Sequence, residues 1–86
     1  AGCLVWRNNV GVLKNAAGIP IRFGLCVGSA DLIGIAPGGR FLAVEIKTTT
    51  GRVRAEQTRF IDAVNRSGGI AGVCRTVEDA LGLIGQ

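Results

Sequence analysis

Histidine is absent from this chain, and that absence removes more chemistry than any other feature. There can be no Ser-His-Asp or Cys-His nucleophile pair and no HExxH zinc site. Cys3, Cys26 and Cys74 stand far apart and form no C-x-x-C pair, so zinc lacks a ligand set. They are expected to be reduced thiols in or near the core. No apolar run approaches the ~20 residues of a membrane span, and no secretory signal pattern opens the chain. A cytoplasmic protein is therefore expected, with no membrane partner. Neither a GxGxxG nor a GxxxxGKS phosphate loop occurs, which argues against a small-ligand α/β domain. Methionine is also missing, and the chain opens on Ala1, so the start of the natural protein is expected to lie upstream. Acidic residues are scarce, six against ten basic ones. The resulting charge of +4 favours a polyanionic partner.

What is present suits one small domain over residues 1–86. Apolar residues make up 48% of the chain, enough for a core and too many for disorder. Residues 30–36 (ADLIGIA) and 40–47 (RFLAVEIK) are strand-like runs separated by Pro37-Gly38-Gly39, a turn-forming cluster. A three-residue loop pairs Ala36 with Arg40, and counting outward sets Asp31 opposite Glu45. Paired side chains share a face with Cβ atoms roughly 5 Å apart. Lys47 returns to that face two residues later. An even loop would split the two carboxylates between opposite faces. Phe41 and Ala43 share the face of Glu45, while Leu42, Val44 and Ile46 line the other, so both faces of this strand are expected to be buried. Two carboxylates held so close repel unless a cation lies between them. With only oxygen donors at hand, that cation is Mg²⁺ or Mn²⁺.

The remainder is an alternation of strands and helices. Residues 4–8 form a first strand around Trp6. Residues 9–18 lack clean periodicity and are taken as a loop, with residues 19–23 as a short strand or extended segment. A helix follows over about 54–66, with Phe60, Ile61 and Val64 on one side, and Ser67-Gly68-Gly69 ends it. Residues 70–75 form a strand, after which Thr76 caps a last helix, with Asp79 as its capping-box partner. A hairpin followed by a strand-helix-strand crossover implies a mixed sheet with helices packed on it.

Asp31 and Glu45 can ligate a metal, and the carbonyl of Ile46 offers a third ligand. Lys47 can orient the attacking water, help deprotonate it, or steady a phosphate. Nearby carboxylates favour its charged form, which favours electrostatic positioning. Arg52, Arg54 and Arg59 follow directly, as a basic turn and helix for a nucleic-acid backbone.

An aspartate, a hairpin and Glu-x-Lys together resemble the signature of PD-(D/E)xK nucleases. Within that superfamily the chain resembles the virus-type replication-repair nuclease (VRR-NUC) domain of the short, stand-alone phage kind. The matching segments run in order along nearly the whole chain: WRNNVG (6–11), RFG (22–24), GSADLIGI (28–35), GRFLAVEIK (39–47), TGR (50–52), EQ (56–57) and GG (68–69). The resemblance implies a restriction-endonuclease-like α/β fold and Mg²⁺- or Mn²⁺-dependent DNA cleavage. It also implies a site role for Gln57, on the helix facing the carboxylates. Stand-alone members resemble Holliday-junction-resolving enzymes, so branched DNA, a homodimer and a phage- or prophage-encoded protein in a bacterial host are implied too. Two departures stand out. Ala30 replaces the family's proline, and the chain starts after the expected place of the family's N-terminal helix. A non-catalytic DNA-binding module is the alternative, and it predicts loss of Asp31, Glu45 or Lys47; all three are present.

Overall fold

The computed structural model describes residues 2–85. The element order is β1 (Leu4–Arg7), β2 (Gly11–Lys14), β3 (Pro20–Phe23), β4 (Leu32–Ala36), β5 (Arg40–Ile46), α1 (Ala55–Arg66), β6 (Ile70–Cys74) and α2 (Val77–Ile84). Four strands form one mixed sheet in the order β1-β4-β5-β6. β1, β4 and β5 are antiparallel neighbours, and β6 joins β5 in parallel through the α1 crossover. This is the mixed α/β architecture with flanking helices that the sequence implies, consistent with a restriction-endonuclease-like fold.

The hairpin register follows the loop parity. Ala36 pairs with Arg40 and Leu32 with Val44, around a short 3₁₀ turn at Pro37–Gly39. Gly38 and Gly39 take φ of 82° and 77°, a left-handed region that side chains with a Cβ avoid. Proline fixes the preceding φ, so the three residues together set an odd loop.

The two helices divide the sheet faces between them. On one face Leu42, Val44, Ile70 and Cys74 are buried beneath Leu83 and Ile84 of α2. On the other, Ala43 and Ala71 lie under Phe60, Ile61 and Val64 of α1. Small residues there let α1 approach closely, and Asn65 fixes its height. The Asn65 amide donates to the Ala71 carbonyl at 3.0 Å, and its oxygen accepts from the Ala71 N–H at 2.9 Å. Thr76 and Asp79 form the expected capping box at the start of α2, replacing N–H partners a helix start otherwise lacks.

Three expectations need correction. Only the middle of β5, Leu42 to Glu45, is buried; Phe41 is 40% and Ile46 50% exposed. The reason is coverage: α1 packs on β5 and β6 and α2 chiefly on β6, leaving Leu4, Trp6, Ile35 and Phe41 exposed on the α1 side of the sheet and Ile46 on the α2 side. Cys26 is exposed, not in or near the core. Finally, residues 11–14 are a strand, not a loop. β2 and β3 pair antiparallel as a separate two-stranded sheet. Asn15 closes that hairpin, its side-chain oxygen accepting from the N–H groups of Ala17 and Ile19. An asparagine turn ending in glycine between two apolar runs was the available signal. The hairpin stands off the main sheet, and the radius of gyration, 14.2 Å, exceeds the roughly 12 Å of a compact chain this long.

Candidate active site

Backbone pairing carries Asp31 and Glu45 to one end of the β4–β5 hairpin. Asp31 immediately precedes β4, and its carbonyl accepts from Asn8 N–H at 2.8 Å, extending the β1–β4 ladder by one bond. Its carboxylate reaches across to accept the Ile46 N–H at 2.9 Å. That bond fixes the aspartate rotamer beside Glu45. A strand residue's N–H and C=O point to the same edge, so the Ile46 carbonyl also turns toward Asp31, beyond the last β4–β5 pair.

Glu45 is 3% exposed. One carboxylate oxygen, Oε2, accepts from Gln57 Nε2 at 2.9 Å and lies 3.4 Å from Lys47 Nζ. The other, Oε1, is buried with no hydrogen-bond partner. Burial foremost, and then the negative charge of Asp31, push the Glu45 carboxyl above the ordinary carboxylate range. Lys47 pulls it the other way through its hydrogen bond and charge. A buried carboxylate oxygen without a donor is costly, and a cation removes that cost.

The donor set fits a hard divalent ion. Asp31, Glu45 and the Ile46 carbonyl are all oxygen ligands, the type that suits Mg²⁺ or Mn²⁺ with waters completing the shell. Among the described residues no group of three His, Cys, Asp or Glu side chains could hold a metal, so the carbonyl and water are needed. Thiol chemistry is not in competition: the described cysteines are free, and burial pushes the Cys74 thiol up.

Gln57 is buried, 5% exposed, on the face of α1 that meets the sheet. Its amide nitrogen donates to Glu45 while its oxygen accepts from the Arg54 N–H at 2.9 Å. One side chain thus caps the helix and orients the glutamate. From the sequence this role is implied by the family resemblance alone; the spacing of 57, 60, 61 and 64 on one stripe is a signal that could have supported it.

Lys47 is part-buried, its side chain 18% exposed, just past the end of β5. The turn behind it is tied down by Arg75, which donates to the carbonyls of Thr48 (2.6 Å) and Gly51 (2.7 Å). The three predicted basic residues separate. Arg54 lines a cavity that also contains Asp31, and Arg52 is exposed on the turn leading to it. Arg59 is exposed two residues beyond Gln57, about 200° around the helix and away from the carboxylates. Arg22 and Asn8, not predicted as site residues, line the same cavity as Asp31. Both lie in segments that resemble the family, WRNNVG and RFG, but the loop that brings them to Asp31 is non-local.

A sequence model of the VRR-NUC domain matches residues 14–78. That span takes in Asp31, Glu45, Lys47 and Gln57. Searches of curated proteins and of solved structures find no match.

Proposed function

The chain belongs to the VRR-NUC domain family, and from that premise of a nuclease-type function we propose a metal-dependent DNA endonuclease, selective for branched or junction DNA. The observation that carries the proposal is the orphaned, buried Oε1 of Glu45 beside Asp31 and Lys47. Such an arrangement is costly in a purely structural site and useful in one that holds Mg²⁺ or Mn²⁺. Asp31, Glu45 and the Ile46 carbonyl would hold the ion. When bound, it neutralises charge on phosphate oxygens and makes water a better nucleophile.

The chain's own groups supply orientation and charge. The Ile46 N–H steadies Asp31, and Gln57 steadies Glu45 Oε2, leaving Oε1 without a protein partner. Lys47 keeps an ammonium where charge builds on the reacting phosphate. Arg52 and Arg54 meet the flanking backbone, with Arg59 adding to the positive field at longer range. Paired cuts on a junction need two sites, which a C₂ homodimer supplies. The setting is the cytoplasm of a bacterial host carrying a phage or prophage.

The deciding experiment is a cleavage assay over flaps, junctions and plain duplexes with Mg²⁺, Mn²⁺ or chelator. Branched substrates are expected to be cut preferentially, and only with metal. Equal cutting of plain duplex removes the selectivity, and DNA binding without any cutting leaves a binding module. Molar mass by light scattering tests the dimer.

Two further outcomes follow from the site. Gln57→Ala leaves Glu45 unoriented and is expected to lower the single-turnover rate about 10- to 100-fold, the range for losing a partner that orients a metal ligand. A near-normal rate would make Gln57 only a helix cap. Replacing Arg52 and Arg54 together is expected to weaken DNA binding on every sequence and flatten its salt dependence by about one to two units of slope. An unchanged slope would mean a solvated face.

A further inference from the structure

The β2–β3 hairpin contributes little to either core cluster, yet one of its side chains lines a cavity beside Asp31. That cavity, of about 300 Å³, is lined by Arg22 of β3, Arg54 at the start of α1, Asn8, Ser29 and Asp31, among others. Its walls come together through Gly28. At φ 89° its Hα edge lies against the Glu56 carbonyl, where a Cβ would come within 2.5 Å. The loop between β3 and β4 is therefore packed on the first turn of α1, and the two arginines share one opening.

The hydrogen-bonding groups of this cavity are partly spent and partly free. Asn8 uses both amide hydrogens within the protein, donating to Ser29 Oγ and to the Ala30 carbonyl, each at 2.9 Å. It braces the approach to Asp31. Ser29 accepts that bond and keeps its own hydroxyl proton available. Arg54 pairs with Glu56 at 3.0 Å on the exposed side. Arg22 has no carboxylate within salt-bridge distance among the described residues. Two guanidinium groups, one without an internal partner, and a free hydroxyl make a cradle for a phosphate. Guanidinium forks bind such oxygens in pairs.

We propose that the β2–β3 hairpin is a nucleic-acid-gripping arm: Arg22, with Arg54 and Ser29, holds the backbone phosphate next to the one placed at Asp31 and Glu45. This rests on the nuclease reading above, and it adds Arg22 and Ser29 to Arg54 as one strand-binding subsite. The hairpin then stands off the sheet because its partner is DNA, not the core. Arg22 acts in binding and not in the chemical step, since the ligating carboxylates and Lys47 lie on the other hairpin.

The test compares wild type with Arg22→Ala, Arg22→Gln, Arg54→Ala and the Arg22→Ala/Arg54→Ala pair, using a fluorescent branched DNA in chelator across a salt series. Single-turnover cleavage at saturating protein is measured alongside. Each Arg22 variant is expected to weaken binding about tenfold, the scale of one charge-assisted hydrogen bond. The salt slope should fall by about one, with the cleavage rate at saturation changed by less than about threefold. Because both arginines share one phosphate, the pair should lose little more than the worse single variant. Arg66→Ala, at the far end of α1, should leave the slope alone. Wild-type-like affinity and slope in the Arg22 variants, in a protein that still cuts DNA, overturns the subsite. So do losses that add fully with a two-unit slope change, which would mean two separate phosphates. A wild-type protein that neither binds nor cuts DNA overturns the nuclease reading itself, and the subsite with it.

Discussion

Asp31→Asn is expected to abolish DNA cleavage while leaving the metal-free protein at least as stable as wild type. Asparagine keeps an oxygen that can accept the Ile46 N–H, so the 2.9 Å bond closing the strand end survives. It loses only the charge. That charge is one of the causes, after burial, that push the Glu45 carboxyl upward, and its removal relieves a like-charge repulsion in a part-desolvated site. The cleavage loss follows because Glu45 would then be the one anionic side chain left to balance a divalent ion.

The sign of the pH dependence can be worked out from Glu45. A carboxyl whose folded pKa is raised binds its proton more tightly in the native state than in the unfolded chain. Its contribution to stability is complete below the unfolded pKa and is lost as pH rises through the folded pKa. Wild-type protein in chelator should therefore gain stability from this group on acidification from neutral pH. The gain from Asp31→Asn should be present above the folded Glu45 pKa and shrink as pH falls through it. Melting curves in chelator between about pH 5 and 8, beside a cleavage assay, decide the matter. A collapsed melting temperature would make Asp31 a structural residue, and retained cleavage would remove it from the metal site.

The carboxylate pair was legible in the sequence because its cause is local. Pro37-Gly38-Gly39 sets an odd loop, and loop parity alone puts Asp31 and Glu45 on one face. The Thr76–Asp79 cap was legible for the same reason: a few consecutive residues carry it. Coverage was not. The exposure of Phe41 and Ile46 depends on where α1 and α2, one on each face, end up across the sheet, which no strand pattern contains. In residues 9–18, Gly11 and Lys14 blur the alternation of Val10, Val12 and Leu13, so the segment reads as a loop; the Asn15 turn is the stronger signal. Arg22 and Asn8 lie in family-like segments, yet their place at the site could not be assigned, because they join it only when the loop around Gly28 packs on α1, some thirty residues later in sequence. Gln57 is intermediate. Its place on the apolar stripe of α1 could be counted, whereas its bond to Glu45 required the helix to lie against that strand.

Lys47→Ala is expected to slow single-turnover cleavage by roughly 10²-fold or more, the scale of losing one oriented charge donor. The ammonium lies 3.4 Å from Glu45 Oε2, on a strand end held by the Lys47 N–H bond to the Cys74 carbonyl and by Arg75 behind the turn. A cation fixed in this way needs no reorganisation when negative charge develops on phosphate oxygens, so it stabilises the transition state more than the bound substrate. DNA affinity should change far less, because Arg22, Arg52 and Arg54 carry the phosphate contacts. Stability should also change little. Removing Lys47 deletes a partner that lowers the Glu45 pKa, but it also frees a long, part-exposed side chain from an ordered geometry. Lys47→Arg should rescue poorly, since a planar fork does not replace a compact ammonium beside a buried glutamate. Rates measured with saturating protein separate the two roles. A normal rate in the alanine variant with weakened binding would make Lys47 a phosphate anchor, and a normal rate with normal binding would leave it a structural ion pair.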